Sequence, residues 1–507
     1  MSPFKEIWDS LIKKGEISKK RDISSLFTNK SRYDNFSSKF NDILIDYSKT
    51  NLDDETFQKL MKLIQISDLY EKQVDLFKGK NISPSKEPSP IHVLYRRNIF
   101  KKTEKTLLEN NKRMFKISED IRDGKYLNVK GQKFKSIVNI GIGGSRNGSE
   151  LIYDSLKIFS TGPKVFYISS MDDTEFNDTV YDLDPYETLF VVVSKSFKSI
   201  ETIQNTRKAL FWLKKSLNCD VSKHFICVTS NKEEAKKLLS ENIEILNVPS
   251  GLGGRFGLLG PYSLSSMCNI GFENYNQMLE GANQIDDNFY NEKNKDNLSL
   301  VLSIIDIWHR NFCNFQTKAI LPYDYNLKFF VNYIQQLEME SNGKSINYLS
   351  QKNKISSSPI VWGSSGSEGQ HSFFQFLHQG SNIVPCDFLI GINDQIQPNS
   401  KERTLLLKNC LAQSEALMVG SDKSNKNIHE FCEGNRPSTT IFYESLSPKV
   451  LGSLIALYEN KNFINSVIWR VNPFDQWGVE NAKKIFSKFI SEEKNDYYNK
   501  IIKKFNN

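Results

Sequence analysis

Short apolar runs rich in β-branched residues alternate with stretches of helical spacing along most of this chain. From about residue 136 the order is SIVNIGI, the helical SELIYDSLKIF, KVFYIS, TLFVVVS, the helical IETIQNTRKALFWL, HFICVTS, the helical EEAKKLL and IEILNVP. Strands that are apolar throughout are buried on both faces, and the helices between them supply the cover, so the pattern predicts a parallel sheet. A second series starts near 358 with PIVWG and runs through the helical QHSFFQFLHQ, CDFLIGI, the helical LLLKNCLAQSEALM, TTIFY, the helical KVLGSLIALYE and a last strand, SVIWRV. The predicted fold class is α/β, with two doubly wound parallel-sheet units behind a helical N-terminal segment. In that segment Leu60, Leu63, Ile64 and Leu69 keep helical spacing, and the Pro/Ser-rich SPSKEPSP at 83–90 marks a loop. The expected divisions are a helical segment over 1–110, a first unit over 111–285, a second over 286–490 and a helical tail over 491–507.

Composition narrows the function classes. With 507 residues, 39% hydrophobic and 25% charged, the chain has material for several domains and a large core. The balance of 67 basic and 59 acidic residues gives +8, but the two signs are interleaved, which describes a solvated surface and not a nucleic-acid-binding stripe. Seven cysteines, odd in number, widely spaced and mostly in apolar runs, read as buried free thiols of a reducing compartment. MSPFKEIWDSLIKKGE has no apolar core of a signal peptide, and no run of about 18 apolar residues occurs. A cytoplasmic enzyme that binds neither membrane nor nucleic acid is the expectation.

In doubly wound sheets ligands sit at the carboxyl ends of strands, so the loops there are the candidates for chemistry. The first strand runs into Gly141-Ile-Gly143-Gly144-Ser145-Arg146-Asn147-Gly148 and then a helix. Glycines admit an anion close to the backbone, and a helix start offers free N–H groups. A dinucleotide fingerprint would need glycine at 146, where Arg146 stands, so NAD is disfavoured; a tight turn without a ligand is the plain alternative. The third strand ends in Ser194-Lys195-Ser196-Phe197-Lys198-Ser199, followed by a helix through Glu201, Thr202 and Gln204. Hydroxyls clustered at a helix entrance suit a phosphate dianion, although serines there also serve as simple N-caps. Gly343-Lys344-Ser345 resembles the end of a nucleotide loop, yet Glu338 replaces the glycine that such a loop needs.

Proton-moving candidates are few. Gln336 and Glu340 are four apart near a helix end, so they share a face, and a carboxylate beside an amide suits a general base. His371 and His378 fall in one helical stretch about 10 Å apart, too far to bind one metal, which leaves His378 as an acid or base. Arg255 follows Gly251-Leu252-Gly253-Gly254, a loop able to bring a guanidinium to a developing oxyanion. Lys483, in Phe474-Asp475-Gln476-Trp477-Gly478-Val479-Glu480-Asn481-Ala482-Lys483, is a substrate contact or an ordinary surface lysine.

Taken together, QQLEMESNGK (335–344), GQHSFFQFLHQG (369–380) and FDQWGVENAK (474–483), with IGIGGS, SKSFKSIET, GGRF, EGNRPS and LGSLIALYE, resemble the glucose-6-phosphate isomerase (phosphoglucose isomerase) family over about 136–490. That family is built on two sugar-isomerase (SIS) domains. The resemblance implies an aldose–ketose isomerase of glycolysis and gluconeogenesis that interconverts glucose 6-phosphate and fructose 6-phosphate through ring opening and an enediolate. It implies a homodimer whose sites are completed across the interface, with no metal and no cofactor. On it Glu340 is the base, His378 the ring-opening acid with Lys483 nearby, Glu201 orients the imidazole, and Arg255 stabilises the enediolate oxygen. Gly144, Ser145, Ser194, Lys195, Ser196 and Ser199 hold the phosphate, and Thr202 and Gln336 line the site. The chain departs from the family pattern at Arg146 for Asp, Lys198 for Thr, Gly257 for Ser, Ser364-Ser365 for Glu-Pro, Ser367-Glu368 for Thr-Asn and Asn481-Ala482 for Leu-Gly. Two competing classes remain: a non-catalytic sugar-phosphate-binding regulator, which has no need of Glu340, His378 and Arg255, and a nucleotide-dependent oxidoreductase, which would bind NAD.

Overall fold

The N-terminal hundred residues hold a β-hairpin as well as the expected helices. The computed structural model describes residues 2–81, 88–101, 104–398, 400–421, 427–491 and 496–506. Within it, β1 (Ser37–Phe40) and β2 (Ile43–Asp46) pair antiparallel across the two-residue turn Asn41-Asp42. Asn41 takes φ +48°, a left-handed conformation that asparagine tolerates better than most residues, as tight hairpins require. Four-residue strands are too short to give a legible alternation, which is why the hairpin does not show in the sequence. Leu60, Leu63, Ile64 and Leu69 are buried as their spacing predicts. Most of the expected loop at 83–90 lies outside the described residues, which resume at Pro88.

The first sheet is the one the pattern describes: β3 (Ser136–Ile140), β4 (Lys164–Ile168), β5 (Thr188–Val193), β6 (Phe225–Thr229) and β7 (Glu244–Asn247), all parallel in the order β4-β3-β5-β6-β7. Every residue of β5 and β6 is buried, so both faces are covered. The strand order reverses between β3 and β5, so the loops leaving these two strands flank a crevice of the kind where such folds bind ligands.

The second sheet contains β8 (Thr317–Pro322), β9 (Ile360–Gly363), β10 (Cys386–Gly391) and β11 (Ser438–Tyr443), mutually parallel, and is extended by the N-terminal hairpin to the order β1-β2-β11-β10-β8-β9. Two features differ from the sequence reading. The series begins one strand earlier, at β8, and SVIWRV is not a strand: Ser466–Ile468 are the last turn of the helix Pro448–Ile468, and Trp469 and Arg470 close it. That helix is buried on all sides from Val450 onward, with Glu459, Lys461 and three asparagines buried among its apolar residues, so it shows no helical period by which to tell its last turn from a buried strand. The stretch with His371 and His378 is two short helices, Gly366–Gln370 and Phe374–Gln379, with His371 on the turn between them. The divisions expected after 110 and 285 fall inside the helices Lys105–Asp123 and Phe272–Asn291.

Candidate functional site

The glycine loop after β3 packs against backbone. A Cβ on Gly144 would lie 2.5 Å from the carbonyl carbon of Gly254 and 2.6 Å from the nitrogen of Arg255, so only glycine lets this loop touch the segment that carries Arg255. The next helix starts at Asn147, whose Nδ2 donates to Gln336 Oε1 at 3.0 Å. Ser145 gives its carbonyl to Asn139 Nδ2. Arg146, the family-pattern departure, binds both oxygens of Glu150 and also reaches Glu175 and Ser169, so its charge is spent holding the loop to the end of β4.

After β5 the serine loop stays tied to β6. Ser194 N–H donates to Val228 O at 3.0 Å, Lys195 O accepts from the Ser230 N–H at 3.0 Å, and Ser196 O accepts from Asn231 Nδ2 at 3.1 Å. Phe197 turns the chain with φ +53° and its ring buried, which leads through Lys198 and Ser199 into the helix Ile200–Leu217. Ser199 occupies the N-cap without a side-chain capping bond, and the Thr202 hydroxyl is buried without a partner among the described residues. The first turn of an 18-residue helix thus carries, in Thr202, a buried hydroxyl with no partner among the described residues.

Arg255 is the hub of the site. It is 6% exposed, and its Nε donates to Ser341 Oγ at 2.7 Å, its Nη1 to Gln476 Oε1 at 2.9 Å, and its Nη2 to the carbonyls of Pro473 at 2.6 Å and Asp475 at 3.0 Å. Nη1 also lies 3.6 Å from Glu340 Oε2. Burial lowers the guanidinium pKa from its ordinary value, and the charges of Glu340 and Asp475 oppose that shift. Glu340 ends a π turn, Gln336–Glu340, and Gln336 Nε2 donates to Glu340 Oε2 at 2.9 Å. Such turns widen a helix by one residue and recur at functional sites. The result is a continuous line from Asn147 through Gln336 and Glu340 to Arg255, in which one carboxylate oxygen faces both an amide donor and a guanidinium.

Sequence reasoning missed the groups that brace this line. Ser341, Asp475 and Gln476 hold Arg255 in place, and Lys344 ties the strap 472–475 to the helix end by donating to Asn472 O at 2.6 Å, with Asp475 Oδ1 at 3.4 Å. Burial pushes the Lys344 ammonium down to about 8, against the pull of Asp475. Ser341, Lys344, Asp475 and Gln476 lie inside the quoted motifs, where their hydrogen-bonding types were the available signal, whereas Asn472 lies outside them. Lys344 is committed to these contacts and not to a nucleotide loop. Gly257, another departure, is explained by crowding, since a Cβ there would sit 2.5 Å from the Tyr262 ring.

Three proposed groups are not brought to this line within the chain. His378 Nε2 lies 3.0 Å from Gln413 Oε1, not from Glu201 or Glu340. Lys483 is 66% exposed and pairs with Glu480 at 2.6 Å. Glu201 is half-buried in the first turn after the serine loop and is not the group that orients the His378 ring here.

The phosphoglucose isomerase family model matches residues 46–506. This chain belongs to that family. The match extends toward both termini beyond the motif-bearing 136–490. Glucose-6-phosphate isomerases from Bartonella bacilliformis and Gloeobacter violaceus are 36% and 35% identical, each over 96% of this chain and over 93% and 92% of their own length. A crystal structure of a glucose-6-phosphate isomerase from Chlamydia trachomatis superposes with a TM-score of 0.89 at 27% identity, covering 99% of this chain and 98% of that one. A hypothetical protein from Thermus thermophilus shares the fold, with a TM-score of 0.68 at 20% identity over 86% of this chain and 98% of its own. Family membership and the α/β architecture therefore agree with the motifs.

Proposed function

We propose that this protein interconverts glucose 6-phosphate and fructose 6-phosphate, the step that links the aldose and ketose hexose phosphates in glycolysis and gluconeogenesis. The observation that carries the reading is the placement of Glu340 Oε2 between the Gln336 amide and Arg255 Nη1, within a family whose relatives bear that activity in their names. The substrate phosphate sits at the serine loop, on the Ser194, Ser196 and Ser199 hydroxyls and the helix start, with Lys195, Gly144 and Ser145 around it and Thr202 lining the pocket. On the open-chain aldose Glu340 takes the proton from C2; the C–H electrons form the C1–C2 double bond and the carbonyl electrons move to O1. The same carboxyl then returns the proton to C1, as O2 passes its own proton to O1 and becomes the ketone while O1 becomes the C1 hydroxyl. Arg255 supplies positive charge beside the carboxylate, where the enediolate oxygen grows.

His378, Lys483 and Glu201 complete the ring-opening machinery in a homodimer. The support is that within one chain the first two groups make their contacts with Gln413 and Glu480 and not with Glu340. A second support is the exposed apolar surface of the C-terminal helices Glu480–Ser491 and Asp496–Asn506, where Phe486, Phe489, Ile490 and Phe505 all face solvent. A reducing, cytoplasmic setting fits seven free cysteines, five of them buried. No described helix is long and apolar enough to cross a membrane. A coupled assay for glucose 6-phosphate formed from fructose 6-phosphate tests the activity. Turnover without added metal or nucleotide supports the reading, and its absence in folded protein rejects it.

A further inference from the structure

The face of the π turn opposite the site is gripped by a buried lysine. Glu338 lies two residues from both Gln336 and Glu340, so on a helix it points away from the face they share. It is 2% exposed, and its Oε1 accepts from Lys461 Nζ at 2.5 Å. Lys461 is fully buried in the helix Pro448–Ile468 and also pairs with Asp306 at 2.7 Å; Asp306 meets Lys318 at 2.6 Å, and Lys318 meets Asp387 at 2.7 Å. The next residue, Asn462, accepts from Asn342 Nδ2 at 2.7 Å through its side chain and at 3.0 Å through its carbonyl. Two consecutive residues of one helix therefore hold the segment at 338 and 342, on either side of Glu340.

Replacing a buried ion pair by apolar side chains of similar size is often neutral or stabilising, so stability alone does not call for this pair. What the pair adds is direction: one rotation of the turn brings Glu338 Oε1 onto Lys461 Nζ. Loss of the extra residue in a π turn would rotate the residues beyond it by about 100°, the angle per residue of an α-helix, and carry Glu340 away from Arg255 and Gln336. We propose that Lys461, acting through Glu338, is a positioning residue for Glu340, setting the rotation of the Gln336–Glu340 turn so that its carboxylate faces Arg255 Nη1. The inference rests on the reading of Glu340 as the base.

The test uses the full-length chain with Lys461→Met and the double variant Lys461→Met/Glu338→Leu, which removes both charges together and leaves Asp306, Lys318 and Asp387 in place. With folding checked by circular dichroism, both variants are expected to keep KM for fructose 6-phosphate within about 3-fold, because the phosphate loop belongs to the first sheet. Per folded molecule, kcat and the exchange of the substrate carbon-bound proton with solvent should fall together by about 30-fold or more. A purely structural pair would lower thermal stability and leave kcat unchanged. If the single variant does not fold, the double variant decides, since it removes the Glu338 charge together with the lysine and leaves Asp306 its pair with Lys318. Wild-type kcat in the double variant, a rise in KM alone, or failure of the double variant to fold overturns the proposal. Glu340→Gln is the parallel control: retained exchange there would defeat the base reading itself, whereas its loss beside a fully active double variant would defeat only the role of Lys461.

Discussion

Gln336 and Glu340 face one another across a single turn, with the amide nitrogen of the first donating to Oε2 of the second at 2.9 Å. Because the amide oxygen is itself held by Asn147, the bond fixes which lobe of the carboxylate turns toward the crevice. Gln336→Leu keeps the bulk and removes both bonds. The expected result is a fall in kcat of about 10-fold with little change in KM, read from steady-state kinetics. A change confined to KM would mean that Gln336 only lines the pocket.

Arg255 supports four separate acceptors besides facing Glu340, and an ammonium cannot reproduce that fork. Arg255→Lys should fold with reduced stability and lose about 100-fold or more in kcat, the scale typical of removing one well-placed donor at a developing oxyanion. Activity within about 3-fold of wild type would remove Arg255 from the charge-stabilising role.

Lys344 gives a pH signature. Burial holds its ammonium at about 8 in the folded protein against an ordinary 10.5, so between those values the folded chain carries fewer protons than the unfolded one. This group's contribution to stability therefore rises with pH across that window, with a slope of at most ~1.4 kcal/mol per pH unit. Below about 8 the charged form is present in both states and its burial is unfavourable throughout. The stability of wild type relative to Lys344→Met should improve from pH 8 to pH 10 in denaturant titrations. A constant difference would show that Lys344 does not change its protonation on folding.

The proposed homodimer, with its sites completed across a twofold interface, predicts complementation. Glu340→Gln and His378→Ala should each be inactive alone. Mixed by unfolding and refolding, they should recover about a quarter of wild-type activity, because half of the dimers are mixed and one of their two sites is intact. No recovery, with mixed dimers shown to be present, would place both groups in one chain's site.

Much of this arrangement is legible in the sequence. The four-residue spacing of Gln336 and Glu340 predicts their shared face, and the β-branched runs predict every strand of the first sheet. The hairpin β1–β2 escapes because its strands are short, and Ser466–Ile468 read as strand because the helix that ends there is buried on every side, its polar residues included, and so lacks a helical period. Gly144 shows a subtler limit. Its loop invites an anion-binding reading, and nothing in the sequence shows that the space its missing side chain vacates is also filled by the backbone of Gly254 and Arg255. The strap Asn472–Gln476 and Lys344 stay hidden for a related reason, since a residue that organises a site from behind carries no distinctive spacing.

One carboxylate, that of Glu340, carries the proton between C1 and C2 in the proposed reaction. Fructose 6-phosphate incubated with Glu340→Gln in deuterated water, followed by proton NMR of the hexose phosphates, tests this most directly. The expected result is folded protein that still binds the sugar phosphate, with no solvent deuterium entering at carbon. Incorporation at a rate near that of wild type would contradict it.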